Sequence, residues 1–72
     1  MPPLLTEIYR LQDQLTGLDD YERNLLKMCA NLLESRYEVP EPRNLFNVTQ
    51  FMDLPGRWEL LNGRLYPYES GE

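Results

Sequence analysis

The apolar residues between Asp19 and Tyr37 recur with the period of an α-helix, and no longer stretch of the chain does so. At about 100° per residue they form two neighbouring stripes, the first of Tyr21, Leu25, Met28 and Leu32 and the second of Leu26, Cys29, Leu33 and Tyr37. The polar residues fall on the opposite side: Arg23, Asn24, Lys27, Asn31, Glu34 and Ser35. Because the two stripes cover roughly half the cylinder, the pattern predicts a central helix that packs against two neighbours through its apolar side.

A second helical pattern precedes this one along the chain. Its apolar residues are spaced alternately by four and three, as in helices packed side by side: Leu4, Ile8, Leu11, Leu15 and Leu18. Proline suits the first position of a helix and Gly17 supplies a left-handed residue that ends one, so we expect a helix from about Pro3 to Thr16. Asp19 and Glu22 have the spacing of a capping box. The short connection predicts an antiparallel helical hairpin over residues 1–38.

A proline-rich connector and a short helix are predicted over residues 39–56. Val39-Pro40-Glu41-Pro42 ends the central helix, because proline lacks a main-chain donor and biases its predecessor toward an extended conformation. Asn47 and Gln50 repeat the spacing of a capping box, which indicates one or two helical turns that stop at Pro55-Gly56. We expect the apolar residues of this segment to cover the open side of the helical hairpin: Phe46, Phe51 and Met52.

The sequence from Arg57 to Tyr68 predicts a β-hairpin, because Asn62-Gly63 can adopt the positive φ angles of a type I′ turn. This turn sets the register and pairs Leu61 with Arg64, Leu60 with Leu65, Glu59 with Tyr66 and Trp58 with Pro67. One face is then apolar, and we expect it to rest on the helices or on another chain: Trp58, Leu60, Leu65 and Pro67. A frayed tail is expected over residues 69–72. The complete pattern predicts a single small α+β domain over residues 1–72 that is mainly α.

Seventy-two residues make a small domain, which buries only about 60% of the surface that its unfolded chain exposes. Chains of this size usually need disulfides, a structural metal or a second chain. Cys29 is the only cysteine and there is no histidine, so an internal disulfide and a Cys/His metal site are both excluded. Cys29 itself is expected to be a reduced core residue. We therefore predict a homodimer that associates through the second stripe: Leu26, Cys29, Leu33 and Tyr37.

The net charge of −5 comes from acidic residues that are dispersed along the chain, without a basic cluster. This distribution disfavours direct binding to nucleic acid or to an anionic membrane surface. No apolar run approaches the roughly 18 residues that a membrane-spanning helix needs, and the N-terminal residues lack the features of a signal peptide. We therefore expect a cytoplasmic protein.

The segment from Phe51 to Tyr68 resembles the opening strand pair of the Uma2 family of nucleases. Glu59-Leu60 and Asn62-Gly63 carry the resemblance, which covers about a quarter of the chain. In that family Arg-Tyr-Glu-Leu is often followed by Asp/Asn-Gly and an apolar strand. The acidic and lysine residues that such nucleases use would lie beyond Glu72. The resemblance therefore implies a shared hairpin, and no activity is carried over to this chain.

The residue types offer little catalytic chemistry. Without histidine, general acid-base catalysis at neutral pH would require carboxylates, lysine or tyrosine with strongly shifted pKa values. A nucleophilic triad lacks its base, and the four glycines are too far apart to form a phosphate-binding loop. The acidic cluster of Asp19, Asp20 and Glu22 lacks the alternating ligands of a calcium loop. We expect no enzymatic activity, no metal site and no cofactor.

Three kinds of function are compatible with these observations. The first is a protein-binding regulator or accessory subunit that presents residue types enriched in interface hot spots: Trp58, Arg64, Tyr66 and Tyr68. The second is an acidic DNA-mimic inhibitor of a nucleic-acid-binding protein, which would need one face of carboxylates, whereas Arg10, Arg23, Lys27 and Arg36 are interleaved with the acids. The third is a direct nucleic-acid binder, which the net charge disfavours most. The sequence favours the first.

Overall fold

The computed structural model describes residues 1–68, so the predicted frayed tail lies outside the described residues. It contains three helices and two strands in the order α1 (Pro3–Gln14), α2 (Asp20–Arg36), α3 (Val48–Met52), β1 (Trp58–Leu61) and β2 (Arg64–Pro67). α1 and α2 form the predicted helical hairpin, and β2 packs against α2. This arrangement confirms the predicted α+β class with a short third helix and a C-terminal β-hairpin. No helix within residues 1–68 has the length and apolar character needed to cross a membrane.

The helix ends follow from local chemistry. Asp19 caps α2, with its carboxylate accepting from the main-chain N–H of Glu22 at 2.7 Å, while the Glu22 carboxylate accepts from the N–H of Asp19 at 3.0 Å. Asn47 and Gln50 form the same reciprocal pair at the start of α3. These two capping boxes confirm the sequence prediction. α1 ends earlier than predicted, at Gln14, because Leu15 is already extended.

The β-hairpin has the predicted register. All four residue pairs between β1 and β2 are the expected ones, from Trp58 with Pro67 to Leu61 with Arg64. Asn62 and Gly63 have φ angles of 53° and 83°, as a type I′ turn requires. Gly63 is also needed for space, since a Cβ atom built there would lie 2.9 Å from the Cβ of Leu45. The turn is thus held against the connector.

The small apolar core is not centred on the predicted seam of α1. The buried apolar residues come from α1, α2, the connector and β2: Leu5, Tyr9, Ala30, Phe46 and Leu65. On α1, Leu5 and Tyr9 are buried, whereas the predicted seam residues Leu4 and Leu15 are exposed. The predicted seam was therefore wrong by one residue. The reason is that α1 packs against the connector as well as against α2, so the side of the helix that carries Leu5 and Tyr9 faces the core. Of the residues expected to cover the hairpin, Phe46 is buried, Phe51 is half-buried and Met52 is exposed.

The orientation of α2 is opposite to the predicted one. Asn24, Asn31 and Glu34, which were assigned to the solvent side, are buried. Cys29 is exposed, so its assignment to the core was wrong, and both apolar stripes are half-buried or exposed. The physical reason is that α2 packs against irregular main chain around residue 44 and the turn at Gly63. Such main-chain groups require polar partners when they are buried.

Candidate functional site

The Glu34 carboxylate forms the centre of the buried polar network. It is 1% exposed and lies on α2 facing the connector. It accepts hydrogen bonds from the Tyr9 hydroxyl, from the main-chain N–H groups of Arg43 at 2.9 Å and Asn44 at 3.2 Å, and from the Asn44 side-chain amide at 3.1 Å. Gln12 of α1 donates to the Asn44 side-chain oxygen at 2.6 Å. Glu34 therefore ties α1, α2 and the connector together.

Tyr9 is the titratable group most affected by this network. Its burial, its hydrogen bond to Glu34 and the negative charge of that carboxylate raise the pKa of Tyr9 to about 12. The Arg43 guanidinium lies 4.3 Å from the centre of the Tyr9 ring and acts in the opposite direction. These contacts hold Tyr9 as a neutral hydrogen-bond donor.

Asn31 joins α2 to the turn of the β-hairpin. Its side-chain nitrogen donates to the carbonyl oxygens of Asn44 at 2.8 Å and Gly63 at 2.9 Å. Its side-chain oxygen accepts from the main-chain N–H of Leu65 at 3.1 Å. One buried amide thus satisfies three main-chain groups that lie in two separate segments.

Lys27 lies on the same side of α2 as Asn31 and Glu34. Its ammonium group donates to Gln50 at 2.9 Å and lies 4.9 Å from the centre of the Phe46 ring. Burial lowers the pKa of Lys27, and the charge of Glu34 opposes that change. The contacts fix α3 and the connector on α2.

This interior network has the properties of a structural element. Within residues 1–68, every buried side-chain nitrogen and oxygen has a hydrogen-bond partner. The same part of the chain contains no cluster of three Cys, Asp or Glu residues that could hold a metal ion. The buried polar atoms of the network are thus paired within the fold. Two features of the surface are described next as candidate sites.

The first surface is the side of α2 that points away from the network. We call it the outer face and define it by its five apolar residues: Leu25, Leu26, Cys29, Leu32 and Leu33. The leucines are half-buried and Cys29 is exposed. Leu26, at the margin of the outer face, also lines a cavity of about 290 Å³ with Leu15, Leu18 and five polar residues, among them Lys27 and Gln50 of the network side. Three of the four predicted self-association residues lie on the outer face, and the fourth, Tyr37, is exposed just beyond the end of α2.

The second surface is on the β-hairpin, where the predicted partner-binding residues are placed differently from one another. Arg64 is directed inward, donating to the carbonyl oxygen of Val39 at 2.9 Å and to the Ser35 hydroxyl at 3.4 Å. It holds the hairpin to the end of α2. Tyr66 and Tyr68 are exposed.

Trp58 lines a groove between α3 and the β-hairpin. Its indole N–H donates to the carbonyl oxygen of Pro55 at 2.8 Å, and the half-buried ring covers the turn at Gly56. The groove has a volume of about 390 Å³ and is lined mainly by apolar side chains: Phe51, Met52, Leu54, Gly56, Arg57, Trp58 and Tyr68. Neither the pattern of α3 nor that of the β-hairpin predicts this contact.

The outer edge of β1 adjoins this groove. In an antiparallel pair, alternate residues direct their main-chain groups to the neighbouring strand or away from it. The main-chain N–H of Tyr68 donates to the carbonyl oxygen of Arg57 at 3.2 Å, so the register directs the main-chain groups of Trp58 and Leu60 outward. Within residues 1–68, no hydrogen bond outside the strand pair involves these groups. The edge of β2, in contrast, is covered by Asn31.

Comparisons with protein-family models, with curated proteins and with solved structures find no significant match to this chain.

Proposed function

We propose that the protein is a non-enzymatic accessory subunit or regulator that binds an extended segment of another protein along β1. The observation that carries this proposal is the open edge of β1 beside the groove lined by Trp58 and Tyr68. An extended segment can add to such an edge as a third strand. Main-chain hydrogen bonds then give affinity, and the groove selects a side chain.

The edge of β1 lacks three of the features that protect exposed edges from strand addition. Proline, lysine and bulges block many such edges, and Trp-Glu-Leu-Leu contains none of these, although the strand is short and carries one charge, on Glu59. A two-stranded ribbon is also marginally stable in water. A third strand would pair the outward main-chain groups of Trp58 and Leu60.

The groove supplies apolar contact next to this edge. Met52 and Tyr68, which both line it, are 75% and 50% exposed. Tyrosine and tryptophan contribute much of the binding free energy at protein interfaces, because they combine a large apolar surface with one polar group. The segment that fits best therefore carries an apolar side chain for the groove and alternates apolar and polar residues. Arg57 at the rim favours an acidic neighbour.

Self-association is the second part of the proposal. The outer face of α2 leaves several leucines half-exposed around Cys29 in a chain with few fully buried apolar residues. Small domains commonly gain the missing burial from a second copy. The protein would then act as a homodimer that presents two binding edges.

A displayed library of random peptides tests the binding proposal. Selection on the wild-type chain should enrich peptides that alternate apolar and polar residues. Tyr68→Ser removes one wall of the groove and should weaken binding of these peptides about tenfold, which is typical of an interface hot spot. Tyr66→Ser is the matched control, because Tyr66 does not line the groove.

A main-chain variant tests strand addition itself. The chain can be assembled by chemical ligation at Cys29, which allows an N-methyl group to be placed on Leu60 without altering its side chain. This group blocks an outward N–H and should abolish binding while the hairpin chemical shifts are retained. Equal binding by the N-methyl chain, or no enrichment of peptides on the wild type, would contradict the proposal.

A further inference from the structure

The outer face of α2 has the geometry of a self-complementary helix pair. We propose that a second copy packs on it in the antiparallel direction, with a two-fold axis beside Cys29, so that Glu22 of each copy pairs with Arg36 of the other. This inference rests on the self-association part of the proposed function and specifies its interface. It is independent of the β1 edge.

The spacing of the outer face is that of a coiled-coil seam. Glu22, Leu25, Cys29, Leu32 and Arg36 follow one another at intervals of three, four, three and four residues. Leu26 and Leu33 lie beside them on the same side. An a/d repeat of this kind keeps one stripe facing a partner helix, here over about 21 Å. The seam is apolar in its middle and charged at both ends.

The charges at the two ends determine the direction of pairing. Glu22 and Arg36 are exposed, and each lies seven residues from Cys29. In a parallel pair each would meet its own copy, which is a like-charge contact. In an antiparallel pair centred on Cys29, each meets the opposite charge, as interfaces generally require. Within residues 1–68 neither side chain forms an ion pair, and Glu22 uses one carboxylate oxygen for its capping bond.

The leucines fit the same two-fold axis. A two-fold axis perpendicular to both helices makes them antiparallel. Residues on one flank of the seam then face residues on the same flank of the second copy. Leu25 then faces Leu32 of the second copy on one flank, and Leu26 faces Leu33 on the other. Apolar residues therefore meet apolar residues at every inner position. A partner of another kind would not require this symmetry about Cys29.

The position of Cys29 on the axis provides a direct reporter. Helix axes about 9–10 Å apart, with Cα radii of about 2.3 Å, bring facing Cα atoms to about 4.5–5.5 Å. Disulfides form at Cα separations of about 4.4–6.8 Å. An added oxidant such as diamide can therefore join Cys29 of the two copies in a disulfide. The two thiols lose two protons and two electrons, and diamide accepts them and is reduced.

A charge exchange in the purified chain tests the pairing. Sedimentation of the wild type should show a species of twice 8.6 kDa. Arg36→Glu should raise the dissociation constant of the dimer about tenfold, because two exposed ion pairs become like-charge contacts. Glu22→Arg combined with Arg36→Glu should restore association relative to Arg36→Glu alone, even though it also removes the capping bond of Glu22. Arg57→Glu is the matched control, since it changes the net charge equally outside α2.

Cross-linking tests the axis. Diamide should convert the wild type almost completely to a Cys29 disulfide dimer at concentrations where the Cys29→Ser, Thr6→Cys variant gives little product. Thr6 is exposed on the polar side of α1, so a cysteine introduced there is accessible but distant from the seam.

A monomer in sedimentation, equal cross-linking of the two chains, or failure of the charge exchange to restore association would each overturn the proposal. Peptide binding to β1 is not measured in either experiment, so the two proposals can fail separately.

Discussion

Asn31 takes the place of a neighbouring strand for Leu65. Its side-chain oxygen accepts from the main-chain N–H of Leu65 at 3.1 Å, and its nitrogen donates to the carbonyl oxygen of Gly63 two residues earlier. This side chain therefore pairs with the edge of β2 from the middle of a helix. It explains why α2 buries its polar side: the edge of a short β-hairpin needs hydrogen-bonding groups that leucine does not have.

Asn31→Ala should reduce the free energy of unfolding by about 3 kcal/mol, because the carbonyl oxygen of Asn44 and the main-chain N–H of Leu65 lose the buried partner that Asn31 provides. Urea denaturation followed by circular dichroism measures the change. Gln14→Ala is the control, since Gln14 is exposed at the end of α1. Similar effects of the two substitutions would show that Asn31 is not an internal link.

Tyr9 should make stability depend on pH in the alkaline range. Its pKa is about 12 in the folded chain and about 10 when unfolded. The folded state therefore holds the proton more tightly, so this contribution is fully present below pH 10 and is lost as the pH rises from 10 to 12. The stability difference between the wild type and Tyr9→Phe should shrink by about 2–3 kcal/mol over that range. Urea denaturation of both chains at each pH measures it, and a constant difference would contradict the assignment.

Two glycines with similar backbone conformations should differ in their tolerance of a methyl group. Gly17 and Gly63 have φ angles of 78° and 83°, but only Gly63 has a neighbour, Leu45, in the path of a Cβ atom. Gly17→Ala should cost about 1 kcal/mol from backbone strain alone. Gly63→Ala should cost at least about 1 kcal/mol more, because the contact with Leu45 must open. Thermal denaturation compares the two variants, and equal costs would show that the turn is not held against the connector.

Arg64 should contribute to stability through its contact with the end of α2. Arg64→Ala removes the hydrogen bonds to Val39 and Ser35 and should lower the free energy of unfolding by about 1–2 kcal/mol. Arg57→Ala, on the exposed residue before β1, should have little effect. Loss of peptide binding without loss of stability would instead assign Arg64 to the recognition surface.

The local elements could be predicted because their signals lie within a few residues. Asp19 with Glu22, and Asn47 with Gln50, determine two helix starts without reference to the rest of the chain. Asn62-Gly63 likewise determines the hairpin register. In each case the required backbone conformation is favoured by the residues that adopt it.

The orientation of α2 could not be predicted from its apolar period. That period identifies the apolar side correctly but assumes that the neighbours of the helix are apolar as well. Here they are main-chain groups of the connector and the turn, and Asn31 and Glu34 satisfy them. A signal was present, since Asn24, Asn31 and Glu34 share one face and two amides are unusual on a solvated helix side.

The candidate sites were predictable to different extents. The outer-face residues Leu26, Cys29 and Leu33 were singled out by their apolar character, and the structure leaves them accessible. The groove depends on the approach of α3 to β1, which brings Met52 near Trp58. No pattern within one element predicts this contact, because Met52 belongs to α3 and Trp58 to β1.

The orientation of α2 is the central claim, because it leaves the outer face accessible and places Asn31 against the edge of β2, and hydrogen exchange of the Asn31 side-chain amide tests it most directly. The outer face exists only if Asn31 faces inward and Cys29 faces outward. Nuclear magnetic resonance of the labelled chain should show the Asn31 amide protons exchanging far more slowly than those of exposed Asn62, because the Asn31 amide donates to Asn44 and Gly63. Exchange of Asn31 as fast as that of Asn62 would mean that the polar side of α2 faces solvent and would contradict the account.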